Sequence, residues 1–151
     1  MSAYQKINHF PKSFEITRKD LMLQNLSKMK HRFPREYNFY PQTFILPNEV
    51  SIFNDQAEKS KGERWYIIKP HNSSQGKGIW LSNSVEEILQ KQKDCIVVSE
   101  YIHNPLLANG LKFDMRIYVA ITCWNPLRIY IYEDGLTRLA TSPYSFDLTT
   151  K

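Results

Sequence analysis

The chain has 151 residues, of which 42% are hydrophobic, 13% aromatic and 23% charged. That composition can bury a core, which excludes wholesale disorder, and the length suits one domain or two small lobes but no large multidomain assembly. Lysine and arginine number 20 against 15 acidic residues, a net charge of +5 that favours acidic partners such as nucleotides, phosphates and acidic peptides without amounting to a nucleic-acid arm. Cys95 and Cys123 lack the spacing of a metal or redox site and read as buried free thiols of a reducing compartment. The opening MSAYQKINHFPKSFE has no apolar signal region, and no run approaches the ~18 apolar residues of a membrane span, so a soluble intracellular chain is expected.

In chain order, TRKDLMLQNLSKMKHRF sets Leu21/Met22, Leu26, Met29 and Phe33 near helical spacing, and Thr17 with Asp20 has the spacing of a capping box. Pro34, Pro41 and Pro47 interrupt the next stretch, FPREYNFYPQTFILPNE. The pattern predicts a loop, a strand over 43–46, a helix from about 48 to 59 and an internal linker at 60–64, dividing the chain into a mixed helical segment, 1–64, and a second part, 65–151. RWYIIKP and IWL form a strand hairpin with a long polar tip, HNSSQGKG. SVEEILQKQ is a helix capped by Ser84 with Glu87, and CIVVSEYI is a strand. KFDMRIYVAITCW alternates cleanly, with Phe113, Met115, Ile117, Val119, Ile121 and Cys123 on one face and Asp114, Arg116, Tyr118, Ala120 and Thr122 on the other. Turns at Asn125-Pro126 and Asp134-Gly135 then connect LRIYIYE and LTRLAT into three antiparallel strands. The fold class is α+β.

Chemistry concentrates in the second half. Between Lys69 and Ile79, Gly76 and Gly78 flank Lys77; glycines let backbone N–H groups approach an anion and lysine supplies charge, so a polyphosphate is the natural guest. The loop is not a Walker A motif, and Lys69 precedes the glycines, the reverse of the protein-kinase order. VSEYI ends a second apolar strand in Glu100, Tyr101 and Ile102, whose backbone groups suit an adenine edge. Together these elements describe an ATP-grasp arrangement in which two lobes hold a nucleotide. Asp114 and Arg116, two apart on one strand face, are also spaced for a surface ion pair. His9, His31, His71 and His103 have no mutual ligand spacing, so no metal site is assigned to them. Tyr118, Tyr130 and Tyr132 read as sheet packing rather than a base-stacking platform.

The ordered blocks INHFPKSFEITRKDLMLQNL, YPQTFILP, IIKPHNSSQGKGI, VSEYI, KFDMRIYV and NPLRIYIYEDGLTRLAT resemble the tubulin tyrosine ligase-like family, its polyglutamylase members in particular, from about Ile7 to Tyr144. The resemblance implies an ATP-grasp enzyme that activates a carboxylate as an acyl phosphate for attack by an amino acid. It implies ATP and Mg²⁺ as cofactors, and free glutamate with tubulin or other acidic protein tails as partners. Neither nucleic acid nor membrane is implied, and the location is cytoplasmic, on the microtubule cytoskeleton, with cilium or basal body included. By motif, Lys69 would contact the nucleotide phosphates, Gln75 and Gly76 would lie in the phosphate-covering loop, and Ser99, Glu100, Tyr101 and Ile102 would line the adenine pocket. Lys112, Phe113 and Asp114 match the family's KFD nucleotide motif, Arg116 would line the catalytic site, and Arg138 would bind the incoming amino acid's carboxylate. Gln75 stands where several family members have arginine, one charge fewer at the loop. The family's metal ligands are expected beyond residue 151, which reads as a C-terminally truncated member. The alternative is a non-catalytic nucleotide- or tubulin-tail-binding module.

Overall fold

The structure is a computed structural model and describes residues 4–5, 7–92 and 94–146. It forms two compact units, Met1–Tyr101 and Ile102–Lys151. In the first, helices α1 (Phe14–Thr17) and α2 (Lys19–Arg32) precede strand β1 (Thr43–Leu46) and helix α3 (Val50–Lys59). Strands β2 (Tyr66–Pro70) and β3 (Trp80–Ser82), helix α4 (Val85–Lys91) and strand β4 (Ile96–Glu100) complete it. The sheet order is β1-β4-β2-β3, antiparallel throughout. The 60–64 stretch, expected as a linker, is a turn inside this unit: Ser60 and Lys61 N–H donate to the Ala57 and Glu58 carbonyls, and Glu63 N–H to Ser60.

Register sorts the sheet residues into two faces, as strand alternation requires. Phe44 and Leu46, Ile96 and Val98, and Tyr66 and Ile68 share one face and form the main core with Phe53 and Ala57 of α3 and Ile88 of α4. The Phe53 ring meets Phe44 and Tyr66 edge-on at 5.3 and 5.1 Å between centroids, the geometry the ring quadrupoles favour. On the opposite face Leu23 of α2 packs with Ile45 and Val97.

The helix starts differ from expectation in one place. Ser84 caps α4 as predicted, accepting from Glu87 N–H at 3.2 Å, while Glu87 also accepts from the Ser82 hydroxyl and from Lys91. Thr17, however, closes α1 instead of capping α2: its hydroxyl donates to the Ser13 carbonyl at 3.2 Å, and the chain bends at Arg18. Asp20 is then free to take a different partner. It is buried and accepts from Arg18 Nε at 3.2 Å and Nη2 at 2.7 Å.

The second unit holds β5 (Leu107–Ala108), β6 (Leu111–Trp124) and β7 (Leu127–Leu139). The Asn125-Pro126 turn is present, but Asp134-Gly135 does not reverse the chain, so two long strands replace the three expected. Between the pairs Ile117↔Gly135 and Val119↔Ile131 the register advances two residues on β6 and four on β7, so the surplus bulges out of β7 and the ladder resumes. Gly135 is required there because a Cβ would lie 2.6 Å from the Arg116 carbonyl oxygen. Within this unit both ribbon faces are open, with Met115, Ile131 and Tyr132 each more than 60% exposed. Both cysteines are free but only half-buried, and desolvation pushes the Cys95 thiol up from its ordinary value.

The hydrogen bonds from Arg18 hold the Asp20 carboxyl below its ordinary value of 3.8, against the opposing effect of burial. A lowered folded-state value gives stability that is complete above the unfolded value and lost as pH falls through the folded one. Asp20→Asn should therefore cost about 1–2 kcal/mol in urea unfolding near neutral pH. The gap between variant and wild type should close as pH falls below 3.8 and on through the lowered folded-state value.

Candidate functional site

In the first unit, the sheet face that carries α2 gathers Thr43, Ile45, Val97, Ser99, Ile67, Lys69 and Leu81 by register. Leu23 covers the β1–β4 half. Toward β2 and β3, Ile67 and Lys69 are half-buried and Leu81 is 39% exposed, leaving a patch with an apolar floor and one lysine on it. Lys69 is paired with Val97 of the central strand, so its stem rises from the most constrained part of the sheet.

The chain after Lys69 is shaped by its backbone. His71 N–H donates to the Cys95 carbonyl at 3.3 Å, and its Nδ1 lies 2.8 Å from the same oxygen, so Nδ1 carries the proton. The exposed tip is closed by two turn bonds, Lys77 N–H to Ser74 at 3.2 Å and Ile79 N–H to Gly76 at 3.4 Å. Gln75, Gly76 and Gly78 all have positive φ, at 58, 76 and 69°, a backbone region that glycine adopts freely and that lets the chain approach a ligand closely. A Cβ on Gly78 would come 3.0 Å from Pro70 Cγ, so the loop's exit packs against its own entry; around Gly76 there is open space.

The strand end expected to meet an adenine is partly committed. Ser99 is buried and its hydroxyl donates to that of Thr43 at 3.1 Å, since Thr43 gives its own proton to the Pro41 carbonyl at 2.9 Å. Glu100 N–H donates to the Gln42 carbonyl and Tyr101 N–H to that of Trp65, and Glu100 pairs with Arg64 at 3.7 Å. Those two N–H groups are therefore spent within the first unit, and Ile102 is exposed.

In the second unit, β6 and β7 bring charged side chains together across the ribbon. Arg138 grips Asp114 bidentately, Nε to Oδ1 at 2.7 Å and Nη2 to Oδ2 at 2.6 Å. The expected neighbour of Asp114, Arg116, is not its partner, because a directly opposite residue on β7 is closer than one two positions along β6. Arg138's hydrogen bonds push the exposed Asp114 carboxyl below its ordinary value, and Arg116 adds a smaller effect of the same sign. Phe113 is half-buried opposite Leu139, while the Lys112 ammonium sits 5.4 Å from the centre of the Tyr144 ring. Tyr144 is tied to Gly110 by its N–H and to His103 by its hydroxyl. The sequence reading missed Tyr144, His71 and Lys19; nothing in a single sequence marks a partner many positions away. Among the described residues no three His, Cys, Asp or Glu side chains come together to hold a metal ion, and Arg138 occupies both Asp114 oxygens, so no magnesium ligand is assigned. Among the described residues no helix is long and apolar enough to cross a membrane.

All 151 residues match the sequence model of the Tubulin-tyrosine ligase family. The chain belongs to that family. It is 47% identical over 145 residues to a probable beta-tubulin polyglutamylase of Tetrahymena thermophila, covering 95% of this chain and 12% of that protein. It is 46% identical over 144 residues to the human tubulin polyglutamylase TTLL13, covering 95% and 17%, and 43% identical over 145 residues to human TTLL6, covering 96% and 16%. The chain thus spans less than a fifth of the length of these relatives. Its fold is similar to the C-terminal domain of K. lactis Pby1, an ATP-grasp enzyme, with a TM-score of 0.61 and 23% identity over 91% of this chain and 42% of that one. This family member has the ATP-grasp fold.

The two loop glycines should respond differently to alanine. At Gly76 the positive φ alone is penalised, about 1 kcal/mol. At Gly78 the contact with Pro70 adds to it, so Gly78→Ala should lower the melting temperature more than Gly76→Ala in paired thermal melts; equal shifts would contradict the close packing of loop exit on loop entry.

Proposed function

We propose that this chain is the nucleotide-binding part of an ATP-dependent ligase that joins glutamate to side-chain carboxylates in acidic protein tails, tubulin's above all, through an isopeptide bond. The reading rests most heavily on one conjunction: the family's polyglutamylases are its relatives, and Lys69 stands beside a positive-φ glycine loop on the open part of the sheet. ATP supplies the phosphoryl group that activates a carboxylate. The residues of the first unit fit it: the Lys69 ammonium balances phosphate charge, the N–H groups around Gln75 and Gly76 approach the oxygens, and Ile67 and Leu81 offer apolar surface to the base. At the strand end, Ser99, Glu100 and Tyr101 contribute shape and carbonyls, since the N–H groups of the latter two are committed, and Ile102 offers its N–H.

The second unit's charges suit the amino acid. Two guanidiniums against one carboxylate leave Arg116, Arg138 and Asp114 with one net positive charge. Asp114 fixes the plane of the Arg138 guanidinium, which prepares that side chain for a second carboxylate, the α-carboxylate of glutamate. By the family's motif, Arg116 is a residue that lines the catalytic site, and Lys112, Phe113 and Asp114 are residues that contact the nucleotide. The cytoskeletal location follows from the same partner.

Titration calorimetry with ATP tests the first half of this reading. Lys69→Ala should weaken binding at least severalfold; equal affinity in both proteins would remove Lys69 from the site, and no binding by the wild type would overturn the nucleotide assignment. Attraction to acidic tails is electrostatic for a chain of +5, so co-sedimentation with microtubules should fall as the Debye length shrinks from about 10 Å at 0.1 M salt to about 3 Å at 1 M. Sedimentation that ignores salt over that range would contradict it.

A further inference from the structure

Lys19 is the first residue of α2, half-buried, and more than fifty positions from the segment it touches. Its ammonium donates to the Ser73 carbonyl at 2.5 Å and the Pro70 carbonyl at 3.4 Å. Within the same segment, the Cys95 carbonyl at the foot of β4 receives the His71 backbone N–H and Nδ1. Residues 70–73 are therefore tied both to α2 and to the foot of β4, and 74–79 project from this clamp as an exposed tip with two turn bonds. An unsupported nine-residue connection would lose its shape to chain entropy, which is of the order of 1–2 kcal/mol per residue ordered. Neutral donors could hold two carbonyls as well. The ammonium differs in bringing a full charge, and among the described residues it makes no ion pair that would cancel it.

We infer that Lys19 is a positioning residue for the phosphate-covering loop: by tying the Pro70 and Ser73 carbonyls it sets the loop in the shape an anion needs and places a positive charge at its base. The loop-holding part stands on geometry alone, while the consequence for ATP rests on the function proposed above.

Two measurements on the full chain keep these apart. Hydrogen exchange reads the loop without any nucleotide: in Lys19→Met, which keeps the apolar stem, the hydrogen-bonded loop amides of Lys77 and Ile79 should exchange at least severalfold faster while those of Val97 and Val98 stay protected. Lys19→Arg, which keeps charge and donors, should recover slow exchange in part. Unchanged loop exchange in Lys19→Met, or Lys19→Arg as fast as Lys19→Met, overturns the inference. If Lys19→Met loses the protection of β4 and so fails to fold, Lys19→Gln, whose neutral amide sits on a shorter stem and falls short of the ammonium's position, must show intermediate loop exchange, and wild-type exchange there overturns it. In parallel, calorimetry with ATP should show affinity lowered severalfold in Lys19→Met and restored in part by Lys19→Arg. Faster loop exchange with unchanged ATP affinity would overturn the positioning role. Faster exchange in a protein whose wild type binds no ATP would support the loop clamp and overturn the nucleotide reading instead.

Discussion

The strand IVVSE, β4, is the constraint on which the first unit depends. It lies between β1 and β2, pairs with both along its length, and is buried on each face, with Val98 fully enclosed on one and Val97 5% exposed on the other. A one-residue slip of a strand with apolar residues on both faces would only exchange one buried set for another, so its register must come from its neighbours and the turns that deliver them. Once set, that register puts Lys69 beside Val97 and brings the Cys95 carbonyl within reach of His71. The placement of Lys69 and of the loop's entry is thus anchored in hydrophobic packing several residues away.

The second unit follows a different regime. Its long ribbon has little covered surface of its own, and a two-stranded hairpin draws limited stability from its ladder alone. It does supply side-by-side placement: Asp114 and Arg138 meet because they are directly opposed, and the charge they share with Arg116 is fixed by pairing.

Legibility from sequence tracked the range of the interactions involved. Strand β1, the β2–β3 hairpin, α4 with its Ser84 cap and the alternation of β6 were all readable, since each is encoded by periodicity or by residues three apart. Thr17 and Asp20 had the spacing of a cap, but a short helix ahead of them claimed the threonine and Arg18 the aspartate. Asp134-Gly135 carried a turn signal; the local residues were right for a reversal, and the continuing ladder overrode them. In the site, Lys69 and the loop glycines were visible as types in order. The bidentate partner of Asp114, the committed N–H groups of Glu100 and Tyr101, and the reach of Lys19 depended on which segments the fold brings together, which a single sequence does not state.

The contact between Gly135 and the Arg116 carbonyl divides the ribbon into two mechanical sections. On the Asp114–Arg138 side, pairing is locked by a backbone approach that admits only glycine; on the side of the Asn125-Pro126 turn, the bulge has already absorbed two surplus residues. The ladder shifts again nearer the turn, between Ile121↔Ile129 and Cys123↔Arg128, so an insertion or deletion there meets two irregular steps before it reaches the charged pairs.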